Sequence, residues 1–300
     1  MRKHLKHITL ILSLFLVTSS CKKEDEKEDD NDDQTEEPQL VFKVKIDDSQ
    51  ERLNNLGEPS GLPEGHAAQS PRFNNIAAHY IELTPTEFVK VGDGEVIYHA
   101  PETTAGGEKA VDFEKSNLVK DGEIMFQIPL KDVASGTYEY ARVSVVYQNY
   151  DIDFTVDSDM DLKATLASFV GFNTYLTSYQ IKDLTDEVYG NKEQGYWAWE
   201  THPNDYFNEP QMETGQAPGT TVPNPIASTS PIPPGSCLVT GKFVDDLIIS
   251  GDETSSITVE LSFSVNNSFE WKDANENGRY EPLDGDTCRY GVKRFGSKSC

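Results

Sequence analysis

Asp273, Asn275 and Asn277 stand two residues apart, and Gly278 follows directly. This spacing fits the calcium-loop template D-x-[DN]-x-[DN]-G. Its chemistry is that of hard cations: short oxygen side chains at the first, third and fifth positions converge on one point, and the glycine permits the sharp turn. The carbonyl of Arg279 takes the seventh position, Glu281 the ninth and Asp284 the twelfth, where a bidentate glutamate is usual. An aspartate is one methylene shorter, so Asp286 is the alternative closing carboxylate of a longer loop. A structural calcium ion is therefore the expected cofactor, held by Asp273, Asn275, Asn277, Arg279, Glu281 and Asp284.

Nitrogen and sulfur donors give a second expectation. His66, His79, His99 and His202 follow the first twenty residues, none paired with another at i+2 or i+4. Neutral imidazole is the commonest protein ligand for copper, zinc and related ions. His79, His99 and His202, with Met125, Met160 and Met212 as soft donors, could make an extracytoplasmic copper or other metal site. Trp197 and Trp199 share one face of an extended segment, which fits either a sugar-stacking platform or an ordinary core. Asp151, Asp153, Asp157, Asp159 and Asp161 alternate in the same way and read as a solvated strand edge. Catalytic signatures such as G-x-S-x-G, H-E-x-x-H or a Walker loop do not occur. The expectation is a binding protein that takes a glycan or another surface protein, with metal binding through histidines as the alternative and a hydrolase without a recognisable motif as the third reading.

The elements that must position these residues are strands. Leu40, Phe42, Val44 and Ile46 alternate with Lys43 and Lys45. Further strands are expected at residues 76–83, 88–91, 95–99, 123–130, 137–156, 166–172, 175–181, 196–200, 237–249 and 257–265, with Phe269 to Trp271 also strand-like. Gly92-Asp93-Gly94 and Gly190-Asn191 read as hairpin turns. Residues 201–236 carry eight prolines and read as one long covering loop. The best helical pattern, 161–170, is itself apolar at alternate places. An all-β fold follows, a β-sandwich with a β-barrel as the alternative.

The N-terminus reads as an address. Arg2, Lys3 and Lys6 precede an apolar run from Ile8 to Val17, then Thr18, Ser19, Ser20 and Cys21. The run is too short to span a bilayer, which needs ~20 residues, and the layout is that of a signal peptide. Ser19-Ser20-Cys21 resembles a bacterial lipobox, with Thr18 where leucine is usual, which makes Cys21 the lipidated residue. Residues 22–37 carry ten acids against three lysines and cannot bury enough surface to fold. The expected organisation is a signal peptide at 1–20, a lipidated, disordered acidic tether at 21–39 and a single β domain at 40–300. With 51 acidic against 26 basic residues the net charge is −25, which repels phosphate backbones and excludes nucleic acid as a partner. Three cysteines remain, and Cys237–Cys288 is the preferred disulfide, with Cys288–Cys300 as the alternative. The last fourteen residues hold four bases and no acid.

Four resemblances accompany this reading. Cys21-Lys22-Lys23 followed by acids looks like the export tag of surface lipoproteins of the Bacteroidota, which implies an outer-membrane anchor facing the cell exterior. The calcium-type loop looks like the stand-alone calcium loops of extracellular bacterial proteins, and His79-Tyr80-Ile81 is similar to a segment of small copper-binding proteins of the MbnP-like class. Arg52-Leu53-Asn54-Asn55-Leu56-Gly57, Gln69-Ser70-Pro71-Arg72-Phe73, His79-Tyr80-Ile81-Glu82-Leu83 and Phe269-Glu270-Trp271 resemble a family of uncharacterised Bacteroidota surface lipoproteins along most of the chain after Cys21. That resemblance implies the address and no activity.

Overall fold

The computed structural model describes residues 37–53, 58–156, 160–204, 207–217 and 237–288, with residue 288 described by its backbone alone. Cys21, the signal segment, most of the acidic tether, most of the proline-rich stretch, Asp157, Asp159 and the basic C-terminal residues lie outside the described residues. The fold is all-β: strands make up 58% and helix 3%, and the sheets curl into a half-barrel. Among the described residues no helix is long and apolar enough to cross a membrane.

In chain order the strands are β1 (Gln39–Asp47), β2 (His66–Gln69), β3 (Arg72–Thr84), β4 (Glu95–His99), β5 (Glu102–Thr103), β6 (Ala110–Asp112), β7 (Ile124–Pro129), β8 (Gly136–Val156) and β9 (Met160–Phe169). They continue with β10 (Thr174–Gln180), β11 (Thr185–Lys192), β12 (Tyr196–Thr201), β13 (Gln211–Gln216), β14 (Cys237–Ile249), β15 (Ile257–Ser264), β16 (Phe269–Lys272) and β17 (Thr287–Cys288). The main sheet runs β13-β12-β9-β8-β3-β4, with β14 also paired to β8. Smaller sheets are β15-β1-β7, β11-β10-β6-β5 and β17-β16-β2.

The main sheet is covered on both faces. β8 is the reason: it runs for 21 residues and stays buried from Ala141 to Tyr150. Val143 and Val145 pack with Phe42, Val44 and Leu261 of the β1 sheet. Val146 and Tyr147 turn to the other face, against Phe169, Leu176 and Tyr179. Tyr150, Ile152 and Phe154 join Trp199, Phe269, Trp271 and Tyr280 further along. A strand buried on both faces need not alternate in its sequence, and β8 does not.

Three expectations about elements are corrected. Residues 88–91 are not a strand: the β3–β4 connection turns there, with Phe88 85% exposed. Pro85 ends β3, and the carbonyls of Glu87 and Val89 accept from the Arg142 guanidinium at 3.0 and 2.6 Å instead of from a ladder partner. Gly190-Asn191 lies inside β11, paired with Leu176 and Tyr175 next to a register shift, rather than at a turn. Residues 161–169 lie in strand β9, in keeping with their apolar alternation and with the all-β expectation. The stretch expected as one long loop contains β13, an edge strand between Pro210 and Pro218, where missing ladder donors cost least.

Candidate metal centre

His79 lies in the middle of β3 and is fully buried. Opposite β8, Ala78 pairs Val145 and Tyr80 pairs Ser144, so His79 is the extra residue of a β-bulge. A bulge re-aims one side chain without ending the strand. Tyr80 pairs His99 of β4, and the amide of Ala100 donates to the His79 carbonyl at 2.7 Å. Glu102 follows Pro101 and opens β5, whose hairpin partner β6 is preceded by Lys109.

Three donors meet there. His79 Nε2 lies 3.2 Å and His99 Nε2 3.7 Å from Glu102 Oε1, and one ligating atom from each of the three residues lies within 4.8 Å of the others. Zinc-type bonds of ~2.0–2.2 Å at a tetrahedral angle separate neighbouring donors by roughly 3.3–3.6 Å, close to the two spacings at Glu102 Oε1. The other carboxylate oxygen, Oε2, is ion-paired to Lys109. His99 Nδ1 lies 3.1 Å from the Ala100 carbonyl and donates to it, which orients the ring with Nε2 toward Glu102 as the nitrogen able to ligate. The His79 ring stacks on Phe172 at 5.4 Å and meets His99 edge-on at 4.6 Å. Burial pushes the His79 imidazole down to about 4, His99 adding to that and Glu102 opposing it, so the ring is neutral at pH 7. Its Nδ1 is buried with no hydrogen-bond partner.

His202 is elsewhere. Its Nε2 lies 2.8 Å from the Thr165 hydroxyl, which itself stands 2.6 Å from Asp151. The hydroxyl sits between the acid and the imidazole, which is not the order of a nucleophilic triad. His66 is paired to the buried Glu270 at 2.8 Å, and Glu270 is also held by Arg52. The methionines do not join the trio: Met125 is in the β1-side core, Met160 packs beside Phe154, and Met212 is exposed on β13. Glu102 is the member that sequence reasoning missed. Its only signal was the i, i+3 spacing from His99 across Pro101.

The calcium-type loop leaves β16 and returns to β17. Asp273 Oδ2 accepts from Gly278 N at 2.7 Å, and the side-chain oxygens of Asn275 and Asn277 accept from Asn277 N and Arg279 N at 3.2 and 2.8 Å. Gly278 has φ +76°, the left-handed turn that the template reserves for glycine. Both Asn side-chain amides donate to Glu281 Oε2 at 2.7 Å. Asp284, expected as the closing ligand, is exposed and lies outside this network. Asp286 takes the inner position: 2% exposed, it accepts from Ala274 N and Glu281 N at 2.8 Å each. Burial holds its carboxyl above the usual range, the charges of Asp273 and Glu281 adding to that against the two backbone donors. Among the described residues no second trio of His, Cys, Asp or Glu brings its ligating atoms as close as the His79 group does, so these loop carboxylates stand wider apart.

Trp197 and Trp199 do share one face of β12, and that face is core: they are 4% and 2% exposed, with Trp199 edge-on to Phe154 at 4.9 Å. Asp151 and Asp153 share a face too, and both are neutralised, Asp153 by Arg72 at 3.1 Å and Asp151 by Lys182 at 3.4 Å. Cys237 is disulfide-bonded, and the side chain of Cys288, its expected partner, lies outside the described residues. No protein-family model matches this chain, and no curated protein or solved structure resembles it significantly.

Proposed function

We propose that this protein is a lipid-anchored extracytoplasmic protein that binds a first-row divalent metal ion through His79, His99 and Glu102. The observation that carries the reading is the convergence of two imidazoles and a carboxylate, one of them the unpaired residue of a bulge, on a spot with ion-sized spacing. Two nitrogens and one oxygen suit Zn(II) or Cu(II). Cu(I) prefers sulfur, and Met125, Met160 and Met212 are all elsewhere. The ligation favours exchange over permanent structure. His99 has an outer partner in the Ala100 carbonyl, whereas His79 Nδ1 has none, and an imidazole without that support is a weaker ligand. The lipid anchor rests on Ser19-Ser20-Cys21 and the acidic run after it. A glycan platform at Trp197 and Trp199 has less support, because stacking needs exposed ring faces.

Isothermal titration of the full-length protein with Zn(II) or Cu(II) tests this. One ion per chain is expected, with His99→Ala and Glu102→Gln weakening binding by roughly a hundredfold and His202→Ala leaving it unchanged. Equal binding by all four proteins would remove the assignment.

A second reading, compatible with the first, places a structural calcium in the loop of Asp273, Asn275, Asn277 and Glu281, closed by Asp286. The burial of Asp273, Glu281 and Asp286 favours it, since three carboxylates with little solvent are an expense that a divalent ion offsets.

A further inference from the structure

We propose that the metal held by His79, His99 and Glu102 keeps one coordination position open to solvent, and that this position takes an anionic donor anchored by Lys109. The inference rests on the metal-binding reading above.

Three protein donors leave a four-coordinate divalent ion one position short, which is the arrangement of exchangeable and reactive sites rather than closed structural ones. The direction of that position follows from burial. His79 is fully buried and Phe172 stacks against it, which closes the inner side. His99 is 36% and Lys109 65% exposed, which places the open side toward solvent. Local charge selects the occupant. A divalent ion with two neutral imidazoles and one carboxylate carries one net positive charge, and the Lys109 ammonium adds another. The surroundings of the ion are thus cationic in a protein whose formal net charge is −25. An ammonium has three protons. One serves Glu102 Oε2, and the others remain for a ligand on the outer side.

The chemistry that fits is a small anion or a carboxylate: one atom binds the metal and a second accepts from Lys109, as a charge-assisted hydrogen bond. A metal ion arriving as a complex with a carboxylate-bearing carrier would offer both at once. Lys109 is thus a positioning residue for the exogenous ligand and not a metal ligand itself.

Cobalt(II) makes the site visible, because its absorption bands report coordination. The full-length protein is loaded with Co(II) and titrated with azide and, separately, with acetate. A saturable change of the visible spectrum is expected for both anions. Lys109→Met should raise the apparent Kd for azide about tenfold, with Co(II) still bound, and Lys109→Arg should keep most of the wild-type affinity. A Co(II) spectrum that azide and acetate leave unchanged, or equal azide affinity in wild type and Lys109→Met, overturns the proposal while the metal site stands. Failure of Co(II) to bind at all overturns the metal reading and this proposal together.

Discussion

At the residue scale, the most consequential side chain is one whose environment could not be read from its neighbours in sequence. His79 sits in a continuous apolar run from Ile76 to Ile81, and an isolated histidine in a strand has no local signal for ligation. What distinguishes it is a one-residue bulge, set by the register between β3 and β8, and register depends on contacts more than sixty residues away. The same burial makes an acid-lability prediction for the metal-free protein. The His79 pKa in the fold, about 4, lies below the ordinary 6.5. The unfolded chain therefore binds a proton that the fold refuses. Stability is full above pH 6.5 and falls as the pH drops toward 4, by ~2–3 kcal/mol from this residue. Urea denaturation between pH 7 and 4.5 should show this slope, and His79→Gln should flatten it. An unchanged slope in the variant would mean that the imidazole is not held neutral by burial.

At the scale of elements, the long and strongly patterned strands were legible. The expected 40–46, 137–156, 237–249 and 257–265 segments match β1, β8, β14 and β15 to within about a residue or two. Strand-like segments whose backbone has another partner were not legible: 88–91 looks apolar and extended, yet the carbonyl of Val89, like that of Glu87 just before the segment, serves the buried Arg142. Short strands such as β5, β6 and β17 carry too few residues to show a period. The Trp pair shows the limit of face assignment, since alternation places two side chains together but does not say whether that side faces water. In the calcium-type loop Asp273, Asn275, Asn277 and Glu281 share one hydrogen-bond network, and chain geometry buries Asp286 beside it while Asp284 is exposed. A loop that binds calcium through Asp286 makes a specific prediction. Chelation should lower the Tm of the wild type and of Asp284→Asn alike, and Asp286→Asn should have the lower Tm with no further response to chelator. A chelator effect surviving in Asp286→Asn and lost in Asp284→Asn would restore the twelve-residue closure.

At the scale of the whole molecule, the charge and the two metal readings are consistent. A chain with a formal net charge of −25 concentrates cations around itself, and an ion arriving near the β4–β5 edge meets the exposed His99 first, with the buried His79 behind it. Anchoring by lipid would keep that site at a membrane surface without a membrane-spanning element. Replacing Cys21 with alanine should move the protein from the membrane pellet to the soluble fraction of its host cell and leave metal affinity untouched, and retention in the pellet would contradict the anchor. Fractionation followed by titration of the released protein measures both. Anomalous diffraction from crystals grown with Zn(II) or Cu(II), recorded at the metal's absorption edge, locates the transition metal directly. The expected result is a single strong peak ~2.0–2.2 Å from nitrogens of His79 and His99 and from Glu102 Oε1. A peak at His202 or His66, or no peak beside His79, would contradict it.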